Sequence, residues 1–206
     1  MSEDVGSITQ PLLDQARAGD AQALGELLES HRPYLTLLAR VQIGRRLQGK
    51  VDAADVVQDA FLGAYRDFAR FRGTTEKEFL GWLRQILAYV LANLVRHYRG
   101  TQRRDVRLER QLTVELDQSS QALDRGLIAA QSSPSQQAVR REQSVLLAEA
   151  LGRLPEPWRD LLILRHLEGL TFPEVAQRLG RTLDSVKKQW PRALASLRRV
   201  MEGGLP

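Results

Sequence analysis

Apolar residues recur three and four positions apart along almost the whole chain, and runs rich in β-branched residues are missing. That pattern predicts helices and no sheet. From Ile8 the apolar positions are Leu12, Leu13 and Ala16, and Gly19-Asp20 breaks the run with Asp20 placed to cap the next helix. The next helix carries Ala23, Leu24, Leu27 and Leu28 on one side, and Pro33 interrupts it or begins its successor. Another helix is predicted from near Asp52, with the stripe Val57, Phe61, Ala64 and Phe68 at offsets of four, seven and eleven. After the loop Phe71-Arg72-Gly73-Thr74-Thr75, a long helical run opens at Phe79. It passes through Trp82, Leu83, Ile86, Val90 and Val95 and ends near Gly100.

From about Thr101 to Gln137 the periodicity gives way to a stretch that is first arginine-rich, then rich in Ser and Gln, with Pro134 near its end. Little there could bury a core, so a linker with at most a transient helix is expected. Helices resume near Arg140 with Val145, Ala148, Leu151 and Leu154, and Pro155 and Pro157 cut the run. A short helix from Trp158 to Leu167 follows, stopped by Gly169, and two more flank Gly180. The expected fold is therefore all-α, with two small helical domains over residues 8–100 and 140–202 joined by a flexible linker over 101–139.

The sharpest local signal runs from Thr171 to Leu197. Thr171 can cap a helix whose first turn holds Pro173 and Glu174 and whose inner face is Val175, Ala176 and Leu179. Gly180 sits where a left-handed residue ends such a helix, and Thr182 or Asp184 can cap a second one with Val186, Trp190, Ala193 and Leu197 inward. Small Ala176, turn Gly180 and apolar Val186 have the spacing of a helix-turn-helix. Ser185, Lys187, Lys188 and Arg192 are left to point outward, which suits either base edges and phosphates or an ordinary solvated basic face. Pro191 lies inside the second helix, where a proline costs about 3 kcal/mol, so a kink is expected beyond the opening turns.

Two other constellations stand out. Asp52, Asp55 and Asp59 fall within about 60° of one another on a helix, opposite Val57 and Phe61. Acids there complement the helix dipole, and they equally suit a basic helical partner. Between Phe79 and Arg104, Trp82, Tyr89, His97 and Tyr98 alternate with Arg84, Arg96, Arg99 and Arg103. Aromatics among arginines suit unpaired bases and their backbone, although Trp82 and Tyr89, seven residues apart, equally fit a core face.

Composition narrows the function. The 206 residues carry a formal net charge of +5, concentrated near Arg96–Arg110 and Arg181–Arg199. Such a balance suggests an acidic partner such as nucleic acid or a membrane surface, although ribosomal and housekeeping proteins can be equally basic. The absence of cysteine excludes disulfides and thiolate metal sites. His31, His97 and His166 show no metal-ligand spacing, and there is no phosphate-cradling glycine loop or nucleophile elbow. No enzyme, metal or cofactor is expected. With no signal-peptide profile and no apolar run long enough to span a bilayer, no membrane insertion and a cytoplasmic location are expected.

The ordered set resembles extracytoplasmic-function sigma factors of the sigma-70 family over nearly the whole chain. It comprises Gly19-Asp20 with Ala23, then Asp52-Ala-Ala-Asp55-Val-Val-Gln58-Asp59-Ala-Phe61, then Phe71-Arg72-Gly73 with Phe79 and Trp82. After the linker come Leu154-Pro155, Ala176, Leu179-Gly180, Val186-Lys187 and Arg192-Ala193. The resemblance implies a promoter-recognition subunit with RNA polymerase core and promoter DNA as partners, and an anti-sigma factor is a common further partner in the family. Residues 8–100 would be region 2, holding the β′ clamp helices through Asp52, Asp55, Gln58, Asp59 and Leu62. The same region would melt and read the minus-10 element with Arg72, Trp82, Tyr89, Asn93, Arg96, His97 and Arg99. Residues 140–202 would be region 4, touching the β flap and reading the minus-35 element with Thr182, Ser185, Lys187, Lys188 and Arg192. Tyr89 stands where many members carry asparagine, and Trp190-Pro191 where leucine-histidine is commoner. The alternative is a stand-alone helix-turn-helix repressor or activator, whose first domain dimerises or senses a ligand.

Overall fold

The computed structural model describes residues 5–47, 51–98, 106–124 and 137–204. The chain divides into two compact units, Met1–Gln118 and Ser119–Pro206. Among the described residues all regular structure is helical.

The first unit contains α1 (Val5–Arg17), α2 (Ala21–Ser30), α3 (Arg32–Arg46), α4 (Ala53–Asp67) and α5 (Glu76–Tyr98). Capping sets the boundaries. Asp20 accepts from the backbone N–H groups of Gln22 and Ala23, which starts α2 as the sequence predicts. Pro33 opens α3 rather than interrupting α2, since the missing N–H of a proline costs nothing in a first turn. Asp52 accepts from Ala54 N–H at 2.9 Å and starts α4. Packing of α1 on α2, α3 on α4 and α4 on α5 buries Leu13, Leu27, Leu35, Leu38, Val57, Phe79, Leu83, Leu87 and Leu91. The buried His31 anchors the helix junction: its Nδ1 lies 2.8 Å from the Leu27 carbonyl and its Nε2 3.4 Å from Glu76.

The expectation of little burial between 101 and 139 fails over α6 (Val106–Asp124). Leu112 and Leu116 are fully buried and Leu108 nearly so, a stripe with a spacing of four. Glu115 and Asp117 lie on either side of that stripe. Arg46 of α3 donates to Glu115 at 2.7 Å, and Arg84 of α5 donates to Asp117 at 2.6 Å and to the Tyr34 hydroxyl at 3.0 Å. Burial works against the Arg84 charge, but Tyr34 and Asp117 outweigh it and raise its pKa. Average composition hid the helix, because its four leucines sit among arginines, glutamines and serines.

The second unit holds α7 (Gln137–Arg153), α8 (Glu156–Leu162), a π-helical turn (Ile163–Leu167), α9 (Phe172–Leu179) and α10 (Leu183–Met201). Its core gathers Val145, Ala148, Leu151, Leu161, Leu162, Val175, Val186, Ala193 and Leu197. Pro191 does not end α10. Buried residues on both sides of it, Val186 and Leu197, hold the helix together around one missing hydrogen bond.

Docking of α6 has a measurable consequence. Leu112→Ala is expected to destabilise the first unit by about 2–5 kcal/mol in urea unfolding followed by circular dichroism. Val114→Ala, on the half-exposed side of the same helix, should change stability by no more than about 0.5 kcal/mol.

Candidate nucleic-acid and protein interface

The outward face of α4 carries Asp55, Gln58, Asp59 and Leu62, all exposed, with Leu62 57% accessible. Val57, Phe61 and Ala64 turn inward, so the amphipathic register places this stripe on the surface. Gln58 is already engaged. Its side-chain carbonyl accepts from Arg32 at 3.0 Å, while Arg32 also forms a two-pronged pair with Glu29 and lies 4.7 Å above the Phe61 ring. The Glu29 carboxyl is held low by its bond to Arg32. Asp52 serves as the N-cap of the same helix.

Tyr89, Asn93 and His97 of α5 line one groove with Asp59, Leu62 and Tyr65 of α4. Residues expected on two separate surfaces, one acidic and one aromatic, thus share a groove. Tyr65 was missed, although its position three residues after Leu62 continues the outward stripe. Tyr89 and Tyr65 are each 46% exposed, the sort of aromatic surface that stacks on bases or anchors a protein partner. Arg96 donates to Asn93, and its Nε is buried without a partner among the described residues. Arg99 lies outside the described residues.

Trp82 is partly buried, with ring centroids 5.0 Å from Phe71, 5.8 Å from Phe79 and 6.0 Å from Phe68. This cluster pins the start of the loop that joins α4 to α5. Arg72 is exposed on that loop and donates to the Ala69 carbonyl. Gly73 is needed sterically, since a Cβ there would lie 2.3 Å from the Phe71 ring. Lining the cleft beside the cluster are Trp82, Gln85 and Tyr89 together with Glu109 of α6.

In the second unit, the carboxylate of Glu174 accepts from both the N–H and the hydroxyl of Thr171, and that bonding holds its pKa low. Gly180 adopts φ +62° and ends α9 in the left-handed conformation expected there. Thr182 then caps α10 by accepting from Ser185 N–H, and the Ser185 hydroxyl accepts from Gln189. Lys187, Lys188 and Arg192 are exposed. No hydrogen bond or ion pair holds these three cations among the described residues, leaving a basic helix face for phosphates. Under that face Trp190 stacks on His166 at 5.2 Å and meets Phe172 edge-on at 5.5 Å. No group of three or more His, Cys, Asp or Glu among the described residues could hold a metal ion.

Comparison with known proteins bears on both units. Residues 27–104 match the family "Sigma-70 region 2", and residues 144–197 match "Sigma-70, region 4". The ECF RNA polymerase sigma factor SigD of Mycobacterium tuberculosis is 29% identical over 193 residues, covering 94% of this chain and 84% of that protein. RNA polymerase sigma-H factor of Pseudomonas aeruginosa is 27% identical, covering 94% of this chain and 93% of its own. Among solved structures, CnrH in complex with the cytosolic domain of CnrY is similar at 23% identity and a TM-score of 0.35, covering 95% of this chain and 98% of that one.

Burial and, secondarily, the neighbouring Arg165 push the His166 pKa below its ordinary value. The fold therefore favours neutral imidazole. Its contribution is complete above the unfolded value of about 6.5 and is lost as pH falls through the lower folded value. The melting temperature of the second unit should drop between pH 7.5 and 5.5, and His166→Phe should flatten that dependence in thermal melts.

Proposed function

We propose, for a chain that belongs to the extracytoplasmic-function group of the sigma-70 family of transcription initiation factors, a division of labour between its two units. The first unit docks on the β′ clamp helices of RNA polymerase core through Asp52, Asp55, Gln58, Asp59 and Leu62. It holds the melted minus-10 strand with the loop at Arg72 and the α5 face of Trp82, Tyr89, Asn93, Arg96, His97 and Arg99. The second unit touches the β flap and reads the minus-35 duplex with α10, through Thr182, Ser185, Lys187, Lys188 and Arg192. The domain limits of 8–100 and 140–202, with 101–139 between them, belong to the same proposal.

The observation that carries this reading is Leu62 and Tyr65, exposed on a helix face that also presents Asp55 and Asp59. Carboxylates repel a phosphate backbone, while apolar anchors with a charged rim are how protein partners are held. Nothing favours the stand-alone regulator, which leaves the region 2 match over residues 27–104 without a purpose. The chain directs the polymerase and supplies no catalytic group of its own. It acts in the cytoplasm, and no helix among the described residues is long and apolar enough to cross a membrane. An anti-sigma factor is proposed as a further partner on family membership, to be sought by co-purification.

Size-exclusion chromatography with core RNA polymerase tests the reading. The chain should co-elute with core and start transcripts on genomic fragments that core alone ignores. Reversing the charge of Asp55 and Asp59 together should weaken co-elution at least about 100-fold, the loss expected when close charge pairs at an interface become like-charged. Unchanged co-elution of that variant would move the docking site elsewhere, and no binding by the parent chain to core from a close relative would overturn the assignment.

A further inference from the structure

The loop between α4 and α5 is held from outside as well as from within. At its start, Phe71 is wedged among Phe68, Phe79 and Trp82, and its N–H donates to the Phe68 carbonyl at 2.9 Å. At its end, one carboxylate oxygen of Glu78 accepts from Thr74 N–H at 2.9 Å, Thr75 N–H at 3.1 Å and the Thr75 hydroxyl at 2.9 Å. Between these anchors, Gly73 packs so closely on Phe71 and Glu78 that a Cβ there would lie within 2.8 Å of both. The fourth hold comes from far along the chain. Gln10 of α1 donates its side-chain amide to the Thr74 carbonyl at 2.9 Å, across 64 residues. Gln10 lies ahead of the residues matched as region 2, which begin at 27.

We infer that Gln10 and Glu78 are positioning residues that preset the loop of residues 71–75, and so determine which base it accepts from the melted minus-10 strand. The inference rests on the reading that this loop meets that strand. Neither residue needs to touch DNA. Both act through the Thr74-Thr75 backbone, whose groups would otherwise turn toward solvent or toward any base offered. A preset loop rejects a wrong base because its fixed polar groups then go unpaired, whereas a loop free to rearrange pairs with several bases. It also loses less freedom on binding than a loop ordered by its ligand. The bonds from Thr74 and Thr75 hold the Glu78 carboxyl low, in keeping with a charged acceptor at neutral pH.

Gln10→Glu and Glu78→Ala test this in the full chain with core polymerase. Gln10→Glu sets a carboxylate oxygen against the Thr74 carbonyl at an exposed site of α1, away from the buried core. Transcript yields are compared on promoter fragments carrying each of the four bases at every minus-10 position, and on fragments varied at minus-35. The ratio of the best to the second-best base at one or more minus-10 positions should fall about three- to ten-fold in both variants, as expected for one or a few lost hydrogen bonds. The minus-35 ratios should stay unchanged. A partly unfolded variant lowers all yields by a common factor and leaves every ratio intact, so a structural defect alone cannot produce the predicted result. Unchanged minus-10 ratios in both variants, with a selective parent chain, would overturn the positioning role. A parent chain that initiates without minus-10 preference would instead overturn the reading beneath it.

Discussion

Packing of α4 on α5 commits the apolar side of both helices: Val57, Phe61 and Ala64 on one, Leu83, Leu87 and Leu91 on the other. The polar side chains left over are confined to an outer arc of each helix, and the arcs meet along the groove where Asp59 and Leu62 face Tyr89 and Asn93. Acid and aromatic groups are juxtaposed there by helix periodicity, with no special backbone conformation. The turn between the helices is a different matter. It must reverse the chain in a few residues, and it does so by seating the half-buried Phe71 in an aromatic cluster that leaves only a glycine room to follow at 73. Core packing thus also places this irregular piece of backbone.

The second unit solves a simpler problem with more local means. A left-handed glycine, a threonine cap and two short amphipathic stripes suffice to present Lys187, Lys188 and Arg192 on an exposed helix. The glycine and the cap each act over four residues or fewer, and each stripe lies within a single helix. The contrast with the first unit has a functional side, because duplex DNA presents a regular groove that a rigid helix can enter. An unpaired strand presents no such groove, and a surface assembled from a loop, a helix face and a distant helix is better suited to it.

What was legible in the sequence follows this division. Gly180, Thr182 and the stripe Val186, Ala193, Leu197 act through short-range geometry, and the helix-turn-helix emerged as expected. The caps at Asp20 and Asp52 were equally local. Trp82, for which core and stacking roles both stayed open, lies partly buried within the aromatic cluster. Three features escaped because their partners are remote in sequence. The bond from Gln10 to Thr74 spans 64 residues, the pair of Arg46 with Glu115 spans 69, and that of Arg84 with Asp117 spans 33. Neither member of such a pair is unusual alone. For α6 the leucine spacing was present, but polar neighbours outweighed it in composition, and a linker was the expectation.

In the proposed division of labour, this chain brings RNA polymerase to duplex DNA through one unit and holds an opened strand with the other. Permanganate reactivity of thymines in a complex of the chain, core polymerase and a responsive promoter fragment tests it most directly. Unpaired thymines should become reactive within the minus-10 element only when both proteins are present, while the duplex near minus-35 stays unreactive. Thymines that remain unreactive throughout a complex that nonetheless binds the fragment would contradict the account. That result would mean the chain recruits without opening DNA.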